Sequence, residues 1–137
     1  GVKQAAKIMN FVKVDMEGQI MDGLSNLDED IMLQIQDNMF TFENLVDVDN
    51  RAIQTIMRNV DQDLLMTALK GATEFVKEKF FDNMSSRARV MFIDDMEAKG
   101  PLRISDVEDA QKNIMRTARK LSDAGELVLA GRGDDFV

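Results

Sequence analysis

The sequence predicts an all-α protein in which an armadillo-like helical repeat unit is joined by a hinge to a C-terminal helical domain. Three observations predict this class. The 137 residues include one proline and eight glycines, and 45% are hydrophobic and 31% charged, a composition typical of a globular chain. Apolar residues recur at helical spacing behind Asp, Ser or Thr residues that can cap helices. A short run of sequence also repeats after about 33 positions, which is typical of stacked helix pairs.

The first part of the chain, residues 1–38, is predicted to be the armadillo-like subdomain. The run Asn26–Met32 resembles the run Asn59–Leu65, and helix pairs that repeat at this spacing bury their faces against each other. Two copies also fit a simpler interpretation, in which two amphipathic helices happen to share Asp caps. The helices predicted here cover about 2–12, 15–25 and 28–39, the last opened by Asp28.

A break in helical periodicity follows at Met39, Phe40, Thr41 and Phe42. Three large apolar residues in four positions do not fit one stripe of a helix. They fit a loop that plugs its side chains into the nearest core, or a hinge whose anchors can dock in more than one place. We therefore place a hinge at 39–42 and a C-terminal helical domain at 43–137.

Four helices of the C-terminal domain have clear start signals. They are predicted over about 50–59, 62–70, 74–83 and 86–99, and the capping residues are Asp49, Asp61, Thr73 and Ser85. Gly71 and Gly100 are placed where a left-handed residue ends a helix, and Pro101 prevents continuation beyond the second of them.

The last helix is predicted from an S-x-x-E capping box formed by Ser105 and Glu108, and it ends at Gly125. Its core-facing stripe consists of Val107, Ala110, Ile114, Ala118 and Leu121.

The helix over about 86–99 carries separated charges on its outer face. At 3.6 residues per turn, Asp94 lies within roughly 20° of Arg87 and about 10 Å further along the axis. Helical charges pair with residues three or four positions away, and only Asp95 has such a partner, Lys99. This face is either solvated or a surface that meets a charged partner. The core-facing stripe opposite consists of Phe92, Ile93 and Met96.

The composition excludes several classes of function. The chain has no histidine and no cysteine, which removes most general bases, nucleophiles and transition-metal sites. A formal net charge of −8 argues against nonspecific binding to nucleic acid. No apolar run approaches the roughly 20 residues that span a bilayer. We therefore expect no enzymatic activity, no cofactor, no metal site, no small-molecule substrate and no nucleic-acid partner.

Several runs, taken together, resemble the C-terminal portion of the flagellar motor switch (FliG) family. The resemblance covers the whole chain. It implies the armadillo unit over 1–38, the hinge over 39–42 and a compact six-helix-type domain over 43–137. The runs that carry it are Met39–Asp49, Ala68–Ala72, Asn83–Ala88, Asp94–Asp95 and Gly100–Arg103.

The resemblance implies a part in the rotor of the bacterial flagellar motor. The charged domain would face the cytoplasmic loop of the stator A-type subunit, and the hinge would reorient it between counterclockwise and clockwise rotation. Further implied partners are other rotor switch subunits (FliM-type) and neighbouring copies through armadillo stacking, in the cytoplasm beside the inner membrane at the basal body. The alternative is a static helical-repeat adaptor with no torque role. The family's functional charges fall on Lys70, Arg87, Asp94, Asp95 and Arg103.

Overall fold

The computed structural model of this protein describes residues 29–129. The chain divides into two compact units, residues 1–41 and 42–137. In the first unit, helix α1 covers Glu29–Met39, which agrees with the helix predicted over 28–39. Ile35 on this helix is buried. The helices predicted over 2–12 and 15–25, and the Asp28 cap, lie outside the described residues.

The second unit contains six helical elements in its described part, which confirms the all-α, six-helix-type prediction. No strand is present between residues 29 and 129. The sequence did not predict the short 3₁₀ helix Phe42–Asp47. The elements are the 3₁₀ helix Phe42–Asp47, α2 (Asn50–Asn59), α3 (Gln62–Lys70), α4 (Glu74–Phe81), α5 (Ser86–Ala98) and α6 (Ile104–Asp123).

The four predicted N-caps of this unit are confirmed. An Asp49 carboxylate oxygen accepts from the Ala52 amide at 2.8 Å, and an Asp61 oxygen accepts from the Leu64 amide at 3.2 Å. The Thr73 hydroxyl accepts from the Val76 amide at 3.4 Å. The Ser85 hydroxyl accepts from the Ala88 amide at 3.1 Å. Each cap satisfies an amide that the first helical turn cannot pair, so these starts are determined locally.

The capping box predicted at Ser105 and Glu108 is wrong. The N-cap of helix α6 is Arg103, two residues before Ser105, and the helix begins at Ile104. Arg103 makes no side-chain capping bond. The Val107 amide already donates to the Arg103 carbonyl at 3.1 Å, so Ser105 lies inside the first turn. The predicted stripe is buried as expected along Val107, Ala110, Ile114, Ala118 and Leu121.

Helix α4 ends at Phe81, two residues earlier than predicted. The Asn83 side chain bonds around this end: its Nδ2 donates to the Lys79 carbonyl at 2.8 Å and to Asn50 Oδ1 at 3.2 Å. Its Oδ1 accepts from Gln54 Nε2 at 2.9 Å. Asn83 therefore ties the turn that precedes α5 to the first part of α2.

The left-handed conformation predicted for Gly71 is also wrong, although Gly100 and Gly125 do adopt it, with φ of 68° and 79°. Gly71 has a φ of −104°, which any residue can adopt. A Cβ at this position would lie 2.4 Å from Val107 Cγ1. The glycine is needed because α3 and α6 approach each other closely here.

Helices α3 and α6 run antiparallel and hold the unit together. Gln111 Nε2 donates to the Ala68 carbonyl at 2.9 Å, and one turn earlier on α6 Val107 meets Gly71. The 3₁₀ helix is held by a stacked ring pair, Phe42 on Phe80, with ring centroids 5.8 Å apart. Both phenylalanines are buried, so the segment that follows Thr41 is anchored in the core of the second unit.

Candidate protein-interaction surface

Helix α5 is fixed by its inner face. Phe92 and Met96 are buried, and the Phe92 ring meets Phe81 of α4 edge to face with centroids 6.1 Å apart. Ile93 is half-buried beside them. Because this side packs into the core, the opposite side must face solvent.

The outer face of α5 carries the three charges that the sequence predicted there. Arg87, Asp94 and Asp95 are all exposed. None of the three forms an ion pair or a side-chain hydrogen bond within residues 29–129. The helix thus holds one free cation near its start and two free carboxylates near its end.

The prediction that Asp95 pairs with Lys99 is wrong. Lys99 forms its ion pair with Asp63, in the first turn of α3. Lys99 is the C-cap residue of α5 and is only 22% exposed, so its side chain is directed back onto α3. The Lys99–Asp63 pair joins α5 to α3. Asp95, like Asp94, therefore has no ion-pair partner within residues 29–129.

Arg89, two residues after Arg87, was not singled out from the sequence, and its contacts differ from those of Arg87. One guanidinium nitrogen of Arg89 lies 3.0 and 3.1 Å from the two carboxylate oxygens of Glu78, and the other lies 3.5 Å from Asp82. The guanidinium carbon is also 5.4 Å from the centroid of the Phe81 ring. Two residues along a helix turn the side chain by about 200°, which was the available signal that Arg89 points inward when Arg87 points outward. Arg89 is therefore neutralised by α4 and holds α5 in place.

Lys70 and the segment that contains Arg103 meet at the other end of α3. Lys70 is half-buried and lines an open depression of 330 Å³ together with Leu102, Ile104 and Glu108. Arg103 lies between two of these lining residues and is exposed. The structure thus brings Lys70 close to the segment that contains Arg103.

Helix α3 connects the two groups of charges. Its first turn holds Lys99 through Asp63, and its last residues contact the first turn of α6. Asp63 and Lys70 are seven positions apart, which corresponds to about 10 Å along the helix. All five predicted charges therefore lie on or beside elements that α3 positions.

Two exposed apolar side chains accompany the charges on α5, and the sequence analysis assigned them no role. Val90 is 59% exposed and Met91 is 57% exposed. The spacing of 87, 91, 94 and 98 is the signal that could have revealed them, because it places Met91 on the same stripe as Arg87 and Asp94.

Neither a cluster of metal ligands nor a membrane-spanning helix is found in the described part of the chain. No group of three or more potential metal ligands lies together among residues 29–129. No helix in this range has the length and apolar character needed to cross a membrane.

The fold and this surface define an all-helical domain that presents free charges of both signs on a firmly packed helix. The chain belongs to the family described as the FliG C-terminal domain, whose model matches residues 22–129. It is 51% identical over 135 residues to the flagellar motor switch protein FliG of Pseudomonas aeruginosa, covering 98% of this chain and 40% of that protein. It is 50% identical over 137 residues to the FliG of Vibrio cholerae, covering 100% and 39%.

Solved structures agree with this assignment. Full-length FliG from Aquifex aeolicus matches with a TM-score of 0.84 and 38% identity, over 91% of this chain and 39% of that one. A FliG fragment from H. pylori matches with a TM-score of 0.74 and 32% identity, over 95% and 57%. The chain spans about two fifths of the length of the curated relatives it matches.

Proposed function

We propose that this chain is the torque-generating C-terminal portion of a rotor component of the bacterial flagellar motor. Its outer α5 face contacts the cytoplasmic loop of the stator A-type subunit, and Lys70 and Arg103 extend that contact at the end of α3. The observation that carries the proposal is the set of free charges on α5, Arg87 at one end and Asp94 and Asp95 at the other. The names of the relatives, flagellar motor switch proteins, support the motor context.

The energetics suit a contact that engages and releases repeatedly. An exposed ion pair contributes about 0–1 kcal/mol, so no single pair holds the stator for long. Free charges of both signs steer and align an approaching complementary surface. The inner-face contacts of α5, including the Arg89 pairs, keep the helix rigid enough to transmit force.

We propose that Met39, Phe40, Thr41 and Phe42 form the hinge that reorients this domain when rotation changes direction. Support comes from the division of the chain into compact units between Thr41 and Phe42, and from the burial of Phe42 as an anchor. The unit before the hinge stacks on neighbouring copies in an armadillo-like manner. The assembly also binds FliM-type switch subunits and lies in the cytoplasm at the inner-membrane side of the basal body.

Charge reversal with rescue tests the stator contact. Full-length protein carrying Arg87→Glu should impair swimming, and reversal of a matching acidic residue in the stator loop should restore it. Lys112→Glu is the matched control, because Lys112 is exposed on α6, forms no ion pair in the described part and changes the net charge equally.

Swimming speed, thermal melting and incorporation into the rotor ring are measured together. Loss of swimming that tracks melting or failed assembly, or equal loss with Lys112→Glu, would contradict the stator contact. That result would favour a static adaptor whose charges only keep it soluble.

A further inference from the structure

Val90 and Met91 form an exposed apolar pair at the centre of the charged α5 face. On a helical wheel they lie about 60° and 40° to either side of Arg87, and 4.5 to 6 Å along the axis towards Asp94, by the roughly 100° and 1.5 Å per residue of an α-helix. The two side chains therefore straddle the line from Arg87 to Asp94 about halfway along it. Single exposed apolar residues are ordinary, but two neighbours enclosed by unpaired charges form a patch.

This arrangement has the anatomy of a protein interface. Interfaces place apolar side chains at the centre, where contact excludes water, and charged groups at the rim. The charges alone make a weak contact that salt screens. Apolar contact is insensitive to that screening, and the exclusion of water strengthens the ion pairs around it.

We propose that Val90 and Met91 are the apolar centre of the contact between α5 and the stator loop, and that they dock on one helical segment of that loop. This inference rests on the proposed function and names the chemistry of its partner. Positions 87, 91, 94 and 98 follow the four-three-four spacing at which one helix packs along another.

Charge complementarity defines the occupant. A helix lying along α5 places an acidic residue against Arg87 and a basic residue against Asp94 and Asp95. These two residues are separated by about seven positions, or two turns, since the charges on α5 are about 10 Å apart. Apolar side chains three or four positions from either charge then meet Val90 and Met91.

Association of full-length protein with the detergent-solubilised stator complex tests this proposal at low and at high salt. The double variant Val90→Thr, Met91→Gln should weaken association about tenfold at both salt concentrations, because it removes apolar contact area. Arg87→Glu should weaken association strongly at low salt and much less at high salt. Val128→Thr is the matched control, since Val128 is 67% exposed outside α5, and it should leave association unchanged.

A second pair of variants separates contact from folding. Met91→Leu keeps the apolar area and should bind like the parent protein, whereas Met91→Ala should bind more weakly, with thermal melting unchanged in both. Unchanged association of the double variant, with Arg87→Glu still weakened, would overturn this inference and leave the proposed function standing. Equal weakening by Val128→Thr would also overturn it. If neither the double variant nor Arg87→Glu changes association, the proposed function fails as well.

Discussion

At the scale of single residues, Gly71 shows how one hydrogen atom in place of a methyl group sets the distance between two helices. The space for its missing Cβ is occupied by Val107 of α6. Because the backbone at Gly71 is ordinary, its role is steric and depends on a neighbour far away in the sequence. Lys70 is the neighbour of Gly71 and the last residue of α3, so the packing of Gly71 against Val107 also determines where Lys70 lies.

We expect Gly71→Ala to lower the free energy of unfolding by about 1–3 kcal/mol through overpacking against Val107. In a Val107→Ala background, the same substitution should cost much less, because the clashing Cγ1 is gone. Chemical denaturation of the four variants in a double-mutant cycle measures the coupling. Additive effects would contradict the steric role.

Phe42 is the second residue with a testable role. Phe42 is 3% exposed and its ring stacks on Phe80, so Phe42→Ala should lower the free energy of unfolding by about 3–5 kcal/mol if the site cannot collapse. If the anchor docks differently in the two rotational states, the substitution should also bias the direction of rotation. Shifting two rotational states from a population ratio of 1:99 to 99:1 takes about 5.5 kcal/mol. A part of the cost of Phe42→Ala that acts on one state more than on the other is therefore enough to change the directional bias.

Torque and directional bias of tethered cells that carry Phe42→Ala or Phe40→Ala show whether Phe42 is part of a hinge or only fills a core. Phe40 is half-buried, so its loss should cost less stability. The hinge hypothesis predicts altered directional bias with torque retained in both variants. Loss of torque at unchanged bias would mean that Phe42 only fills a core.

At the scale of elements, α5 separates its two arginines into different tasks. Arg87 is free on the outer face, and Arg89 is held by two carboxylates and an aromatic ring of the α4 region. The same substitution at Arg87 and at Arg89 can therefore test whether only Arg89 contributes to stability.

Arg89→Gln should lower the free energy of unfolding by about 1–2 kcal/mol, the sum of two partly exposed ion pairs and a cation–π contact. Arg87→Gln should change it by no more than about 0.5 kcal/mol, since it loses no contact in the described part. Chemical denaturation compares the two directly. Equal losses would contradict the separation into holding and free arginines.

The elements also show what sequence can predict. The helix starts at Asp49, Asp61, Thr73 and Ser85 were predictable because a capping side chain acts within three residues. The Lys99 partner was not, because Asp63 is 36 positions away and competes with the local carboxylate at Asp95.

In the rest of the candidate site, too, features set by nearby residues were predictable and contacts between distant residues were not. The exposed charges of α5 could be predicted from helical periodicity, which fixes the direction of each side chain. The capture of Arg89 by Glu78 and the closeness of Lys70 to the Arg103 segment depend on how helices pack. A single sequence contains no direct signal for that packing.

At the scale of the whole molecule, the chain divides into two compact units, and the boundary in the sequence lies between Thr41 and Phe42. If residues 39–42 form a hinge, their amides should exchange with solvent faster than those of α2 and of the part of α1 before Met39, because hinge segments open at low cost in free energy. Hydrogen exchange of the full-length protein measures this. Protection of 39–42 equal to that of both flanking helices would contradict a hinge.

The central claim is that the outer face of α5 contacts the stator loop, and disulfide cross-linking in motile cells tests it most directly. This chain has no cysteine of its own, so an introduced cysteine is unique within it. With Ala98→Cys, on the stripe of Arg87 and Asp94, we expect a cross-link to cysteines placed along the stator cytoplasmic loop. With Lys112→Cys, exposed on α6, we expect none. Cross-linking from Lys112→Cys alone, or equally from both positions, would contradict the claim that α5 is the surface that meets the stator.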